Sequence, residues 1–393
     1  TDVWGELRRL TIRAKRLVIE SMKAPLLAND WAELGRILSR AAAVGDEVER
    51  LEIIRHVLPA LWDGGRVELI AEEIHAVMSR LEEAPPTPLG LQVLSTLCQI
   101  LILSDGPAAG LRWANIACGR ASRLGDPSVM ALAYLTRALG FHYVGRSRLA
   151  SEDFAAARQV IQAAQLDKYR IPLMIYSSVA SADMGDYGAA SKLLDDAIRN
   201  TIQEGDWRNY VCAQHNRAFY AYEQGMLIEA RQAANAALVR RGLGAWYNEA
   251  STWSLLGLIS LDEGEHEQAA VVRERLLEGY LPRRIWGPDL SYIEIFLARM
   301  EVADGRRDLA LARLSEVIAA YEHRDVFCLS RVQLEKARML VGTDPDEARR
   351  LAREVRARGS EIGAQPLMDK AEAVLRSLRA GRAVGGGGGG GRS

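Results

Sequence analysis

Apolar residues recur along this chain at helical spacing, in stretches of about fifteen residues with polar positions between them. In MGDYGAASKLLDDAIRN, Met184 to Asn200, one such stretch ends, Gly185-Asp186-Tyr187 interrupts it, and a second stretch begins. The interruption recurs at Gly65, Gly106, Gly145, Gly225, Gly264, Gly305 and Gly342. With Gly185 in its place, the successive spacings are 41, 39, 40, 40, 39, 41 and 37 residues. A fixed period of about forty residues predicts stacked helix pairs rather than a single globular core. Glycine suits the site because the chain must leave the first helix through left-handed backbone, where a Cβ would clash.

The second stretch of each pair carries a small residue five positions after the glycine: Ala150, Ala190, Ala230, Ala269 and Ala310. Small side chains there let the two helices of a hairpin approach closely. Twelve positions after the glycine stands another small or apolar residue, Ala157, Ala197, Ala237, Leu276 or Val317, set to face the next hairpin. Polar joints such as RLGDP, QEGDW and EHRDV separate the pairs, and no strand pattern competes. An earlier hairpin turning at Asn29-Asp30 and a closing helix at about residues 366–379 complete the series. The predicted fold is all-α: a right-handed superhelical solenoid of about nine antiparallel helix hairpins over residues 1–380. A flexible glycine-rich tail or linker, GRAVGGGGGGGRS, follows at 381–393. The structural rival, an (α/α) barrel, needs long glycine-poor hairpins, which the short glycine turns disfavour.

In this register the tetratricopeptide repeat becomes recognisable. STWSLLGLISLDEGEHEQA, Ser251 to Ala269, sets Trp253, Leu256, Gly257, Gly264 and Ala269 at that family's spacing, and MGDYGAASKLLDDAI matches its second half with Gly185, Tyr187, Ala190 and Ala197. The usual repeat has about 34 residues. The longer period here resembles the superhelical sensor domain of MalT-like (LuxR-type, signal-transduction ATPase) transcriptional regulators. In that family an ATPase module precedes the repeats and a helix-turn-helix module often follows. This chain carries neither a GxxxxGK[ST] phosphate loop nor a terminal DNA-binding pattern. The resemblance implies a non-catalytic sensor domain of a cytoplasmic bacterial regulator. It would take a protein, a peptide or a small-molecule effector in its concave groove, without cofactor or metal, without direct contact to nucleic acid or membrane, and with self-association an option. The alternatives are a stand-alone tetratricopeptide adaptor or scaffold and, from a different class, an enzyme with an active site in the groove.

Composition narrows these readings. A formal net charge of −1 gives no global field to draw the chain to nucleic acid or anionic lipid. Cys98, Cys118, Cys212 and Cys328 stand far apart with no zinc spacing and read as reduced, mostly buried thiols. The longest apolar run, Leu91 to Leu103, is interrupted by Gln92, Ser95, Thr96 and Gln99 and is too short to span a bilayer. The start at Thr1 and the glycine-rich end lead us to expect a piece of a longer protein.

Catalytic patterns are weak. Cys212 and His215 lie one helical turn apart, but two ligands without a third make a poor zinc site. Asp195-Asp196 lacks the further carboxylate a metal-dependent synthase needs, and no nucleophile sits in a GxSxG elbow. Arg349, Arg350, Arg353, Arg356 and Arg358 alternate with Glu347 and Glu354 and read as a solvated helix face. The groove remains. Register places Cys212, His215, Phe219 and Tyr222 on the inner face of one helix, with His142, Tyr292 and Arg299 at inner positions of others. The repeat turning at Gly185 offers mainly Ile175, Val179 and Ala182. Arg137 and Arg217 stand eight residues before their turn glycines, where the motif has an apolar residue such as Leu256. They either bracket an anionic ligand, form structural pairs, or extend to solvent with their stems packed. The candidate groove residues are therefore Arg137, His142, His215, Arg217, Phe219, Tyr222, Tyr292 and Arg299.

Overall fold

The computed structural model describes residues 33–37, 46–65, 71–104, 106–240, 246–279, 290–322 and 324–385. After a short helical stretch at 33–37 come α1 (Glu47–Asp63), α2 (Ala71–Glu83), α3 (Pro88–Ser104), α4 (Pro107–Leu124), α5 (Pro127–Tyr143) and α6 (Ser147–Ala163). The middle of the chain forms α7 (Arg170–Met184), α8 (Tyr187–Glu204), α9 (Trp207–Glu223), α10 (Leu227–Val239), α11 (Trp246–Asp262) and α12 (His266–Gly279). Last are α13 (Leu290–Ala303), α14 (Arg307–Tyr321), α15 (Val326–Leu340), α16 (Pro345–Ile362) and α17 (Gln365–Gly385). Among the described residues there is no strand, and no helix is long and apolar enough to cross a membrane.

From α3 onward the helices pack as consecutive hairpins, and the first helix of each hairpin also packs on the first helix of the next. The odd-numbered helices therefore make an inner layer and the even-numbered ones an outer layer. At the hairpin turn Gly185 (φ +98°) the glycine N–H bonds the Ala182 carbonyl at 2.9 Å and the Asp186 N–H bonds that of Ser181 at 2.9 Å. These bonds satisfy carbonyls that the end of α7 would leave open. Asp186 then accepts the Ala189 N–H at 2.9 Å and starts α8. The same glycine–aspartate pair joins hairpins at Gly125-Asp126 and Gly205-Asp206.

Gly342 departs from the expected pattern, because its backbone is not left-handed. Asp344 caps α16 by accepting the Glu347 N–H at 3.0 Å, and Pro345 presets the first helical φ, so the turn needs no positive φ. The alanines five positions after each turn, Ala150, Ala190, Ala230, Ala269 and Ala310, are at most 1% exposed. At Gly257 the approach of α13 is closer still, since a Cβ there would lie 2.4 Å from the Phe296 ring. The closing helix α17 runs past the boundary drawn at residue 380. The hairpin turn expected at Asn29-Asp30 and the tail at 386–393 lie outside the described residues.

The array turns far enough to meet itself. A Cβ at Gly106, Gly145 or Gly185 would lie 3.0 Å from Arg324, 2.8 Å from Ile362 and 3.2 Å from Pro366 respectively. Ser147 donates to the Ile362 carbonyl at 3.2 Å across 215 residues of sequence. His142 stacks on Phe327 with ring centroids 4.7 Å apart, and Arg331 pairs with Asp183 at 2.6 Å. This seam joins α5 and α7 to α15–α17, so the inner helices surround a channel.

Candidate functional site

Side chains from α3, α5, α7, α9, α11 and α15 meet around one cavity in that channel. On α9 the lining residues Arg208, Asn209, Cys212, Asn216, Phe219 and Tyr220 recur every three or four positions and so share one helix face. Leu103, Leu139, Ile175 and Val179 supply an apolar wall. The space, about 80 Å³, opens to solvent. It holds several waters or one short side chain, since a single water needs about 10–15 Å³.

The polar groups of this cavity divide into engaged and free. Asn209 is tied to Asp206 at 2.6 Å, Gln99 donates to the Tyr176 hydroxyl, and Arg208 makes a two-pronged pair with Asp63 at 2.7 and 2.9 Å. Burial raises the Tyr176 phenol to about 12, so it stays protonated. Among the described residues, the side-chain amides of Asn216 and Asn248 hydrogen-bond to nothing, and Asn248 is only 3% exposed. Each amide offers both a donor and an acceptor to whatever enters.

Asp183 stands at the cavity's edge, where Oδ1 accepts from Arg331 at 2.6 Å and Oδ2 meets His142 Nε2 at 3.0 Å. Burial pushes its carboxyl up, but Arg331 and His142 outweigh that and hold it below the ordinary carboxylate value. Arg331 is flanked by Phe219 and Tyr292, with its guanidinium carbon 5.2 and 5.5 Å from the ring centroids.

Arg331 also lines a second cavity of about 370 Å³, bounded by α9, α11, α13, α15 and α17. Its volume falls within the range of about 300–1,000 Å³ typical of small-ligand sites. Its other charges, however, are matched inside the chain. Arg299 grips Glu335 at 2.6 and 3.0 Å and reaches Asp262 at 3.0 Å, while Tyr222 donates to Asp262 at 2.8 Å. Arg338 adds a bond to Glu335 at 3.2 Å, and Glu223 takes both Lys370 and the Tyr292 hydroxyl. Burial opposes the charge on Arg299, but Glu335 prevails and raises its pKa. For Lys370, burial outweighs the attraction of Asp183 and lowers the ammonium to about 8.

Of the residues singled out from sequence, Phe219 lines the first cavity, and Tyr222, Tyr292 and Arg299 line the second. Ile175 and Val179 also line the first cavity, whereas Ala182 is buried in the core and its neighbour Asp183 takes the inner position. His142 is buried in the seam. His215 packs against α11 and bonds Thr252 at 2.8 Å. Thr252 gives its own proton to the Asn248 carbonyl at 2.5 Å, so His215 Nδ1 is the donor. Arg137 pairs with Asp153 of α6 through two bonds of 2.7 Å, and Arg217 pairs with Asp195 of α8 at 3.0 Å on the outer side. The structure thus gives each of these arginines a carboxylate and does not bring the two together. Four of the five arginines clustered on α16 likewise find partners, which leaves no open basic patch there. Among the described residues no three His, Cys, Asp or Glu side chains are placed to hold a metal ion. Asn216, Asn248, Asp183 and Arg331 escaped the sequence reading because a polar residue on an inner helix face carries no mark of its own. A close look at α9 alone could have singled out Asn216, one turn from Cys212 and Phe219.

No protein-family model matches the chain, and no curated protein does. Solved structures match in shape. The crystal structure of NprR in complex with its cognate peptide NprX superposes with a TM-score of 0.59 at 15% identity, covering 90% of this chain and 98% of that one. Rap protein complexed with competence and sporulation factor gives 0.53 at 13% identity, covering 93% and 98%. Together with the observed hairpins, these likenesses establish a tetratricopeptide-like all-helical solenoid.

Proposed function

We propose that this chain is a non-catalytic peptide-binding sensor domain whose ligand lies in the inner channel. The observation that carries the reading is the pair of amides, Asn216 and Asn248, that meet no partner among the described residues, on neighbouring inner helices beside an apolar wall. A peptide backbone alternates N–H and C=O groups, and a side-chain amide can meet one of each. Apolar side chains of the ligand would rest on Leu103, Leu139 and Ile175. Two solved structures of this shape were obtained as complexes, one of them with a cognate peptide, which supports the same use of the channel. The finer context belongs to this proposal as well: the array serves as the sensing part of a bacterial transcription regulator of the MalT-like kind, in the cytoplasm. A linked ATPase or helix-turn-helix segment in the full-length gene would support it.

The test is co-elution of the chain with a pool of synthetic heptapeptides in gel filtration, with retained peptides identified by mass spectrometry. Retention by the wild type and its loss in the double variant Asn216→Ala/Asn248→Ala is the expected result. Equal retention by both proteins overturns the channel assignment. A second reading, an adaptor that assembles proteins on its outer face, has one observation in its favour: Ile228, Val239 and Val271 on α10 and α12 are 69%, 81% and 62% exposed.

A further inference from the structure

We propose that Arg331 is the specificity anchor of the channel and binds a carboxylate of the peptide, either its free C-terminus or an acidic side chain. The inference rests on the peptide reading above and adds the ligand's charge. Arg331 stands where the two cavities meet and lines both. Of its five N–H donors, one is engaged, by Asp183 at 2.6 Å. Its remaining N–H groups meet no acceptor among the described residues. The side chain keeps 15% of its surface accessible, deep in the channel.

The other cations are occupied. Arg208 is clasped by Asp63, Arg299 by Glu335 and Asp262, Arg338 by Glu335 and Lys370 by Glu223. Asp183 is also less than a full partner, because it divides its two oxygens between Arg331 and His142. Phe219 and Tyr292 hold the guanidinium in place, so little freedom remains to be lost when a ligand arrives. A planar guanidinium matches a carboxylate through two parallel hydrogen bonds, which a lysine cannot do. The space beside it, about 80 Å³, suits one such group.

The experiment uses the full chain and two pools of random heptapeptides that differ only at the C-terminus, one carrying free carboxylates and one amidated. Gel filtration followed by mass spectrometry reads which peptides stay bound. The expected result is an excess of about tenfold for free-acid peptides over amidated ones, or, within the amidated pool, the same excess for Asp and Glu over Asn and Gln. The first outcome identifies the C-terminus as the source and the second a side chain. Arg331→Gln should bring the preference to parity, and Asp183→Asn, which leaves the guanidinium to the ligand, should increase it. The double variant Asp183→Asn/Arg331→Gln keeps the seam neutral and guards against loss of fold, checked by its melting temperature. Asn216→Ala should lower retention from both pools alike without changing their ratio. Peptides retained by the wild type with no preference for carboxylates overturn the anchor and leave the peptide reading standing. No retention from either pool overturns both.

Discussion

The larger cavity carries more charge than the smaller one, yet nearly all of it is neutralised within the chain. Arg299, Glu335, Asp262 and Tyr222 form a closed network, and Lys370, Glu223 and Tyr292 form another. The smaller cavity has fewer charged groups, but among the described residues Asn216, Asn248 and most of the Arg331 guanidinium are unengaged. Buried polar groups are costly when unpaired, so a network already satisfied holds helices together, while an unsatisfied group awaits a partner. Volume ranks the second of these cavities above the first. Unused hydrogen-bonding capacity distinguishes the two.

The comparison can be broken by experiment. Arg299→Ala should have the largest effect, because it leaves Glu335, whose side chain is 7% exposed, with Arg338 as its remaining cation and takes the guanidinium from Asp262 as well. Removing one partner of a buried ion pair costs about 3–5 kcal/mol, read as a lower urea midpoint, while peptide retention per folded molecule stays unchanged. Loss of binding without loss of stability would reverse the roles of the cavities. Asn216→Ala and Asn248→Ala should do the opposite. Each should weaken peptide binding by about tenfold, or roughly 1.4 kcal/mol, with little change in the urea midpoint.

Asp325 tests the helix that divides the cavities. It caps α15 by accepting the Phe327 and Cys328 N–H groups at 2.8 and 3.0 Å. Burial raises its carboxyl from 3.8 to about 6, against the opposing pull of those N–H groups and of Arg331. The folded state thus holds the proton more tightly than the unfolded chain. Its contribution to stability is full below 3.8 and is lost as pH rises through about 6. Asp325→Asn keeps the cap and should therefore gain up to about 2 kcal/mol over the wild type at pH 7.5 and nothing at pH 4. Urea midpoints at the two pH values decide. The smallest effect belongs to Arg217→Ala. That ion pair, 49% and 47% exposed, should be worth no more than about 0.5 kcal/mol by the same measurement.

The hairpin register was legible because turn glycines and interface alanines are forced locally: a left-handed exit and a close helix approach admit few residues. Gly342 shows the limit, since an Asp-Pro start performed the same task by other means. The assembled channel was less legible. Phe219, Tyr222, Tyr292 and Arg299 fell on inner positions that register could assign. The partners of Arg137 and Arg217, one helix away, could not be assigned, because a rotation of part of a helical turn decides which neighbour a long side chain meets. Arg331 and Asp183 were beyond reach for another reason. They come together only after the small rotations of several hairpins have accumulated, and no stretch of sequence records that sum.

The seam between the hairpin turns at Gly106, Gly145 and Gly185 and helices α15–α17 makes the array a ruler. An open solenoid is a sum of nearest-neighbour terms and tolerates a repeat added or removed at little cost. Here the stretch of chain from Asp183 to Arg331, 148 residues apart in sequence, must turn far enough to bring the two into contact. Deleting or duplicating a whole hairpin between them would leave every local interface intact and still carry the guanidinium away from its carboxylate. The repeat number is thereby part of the proposed binding site, as surely as any side chain in it.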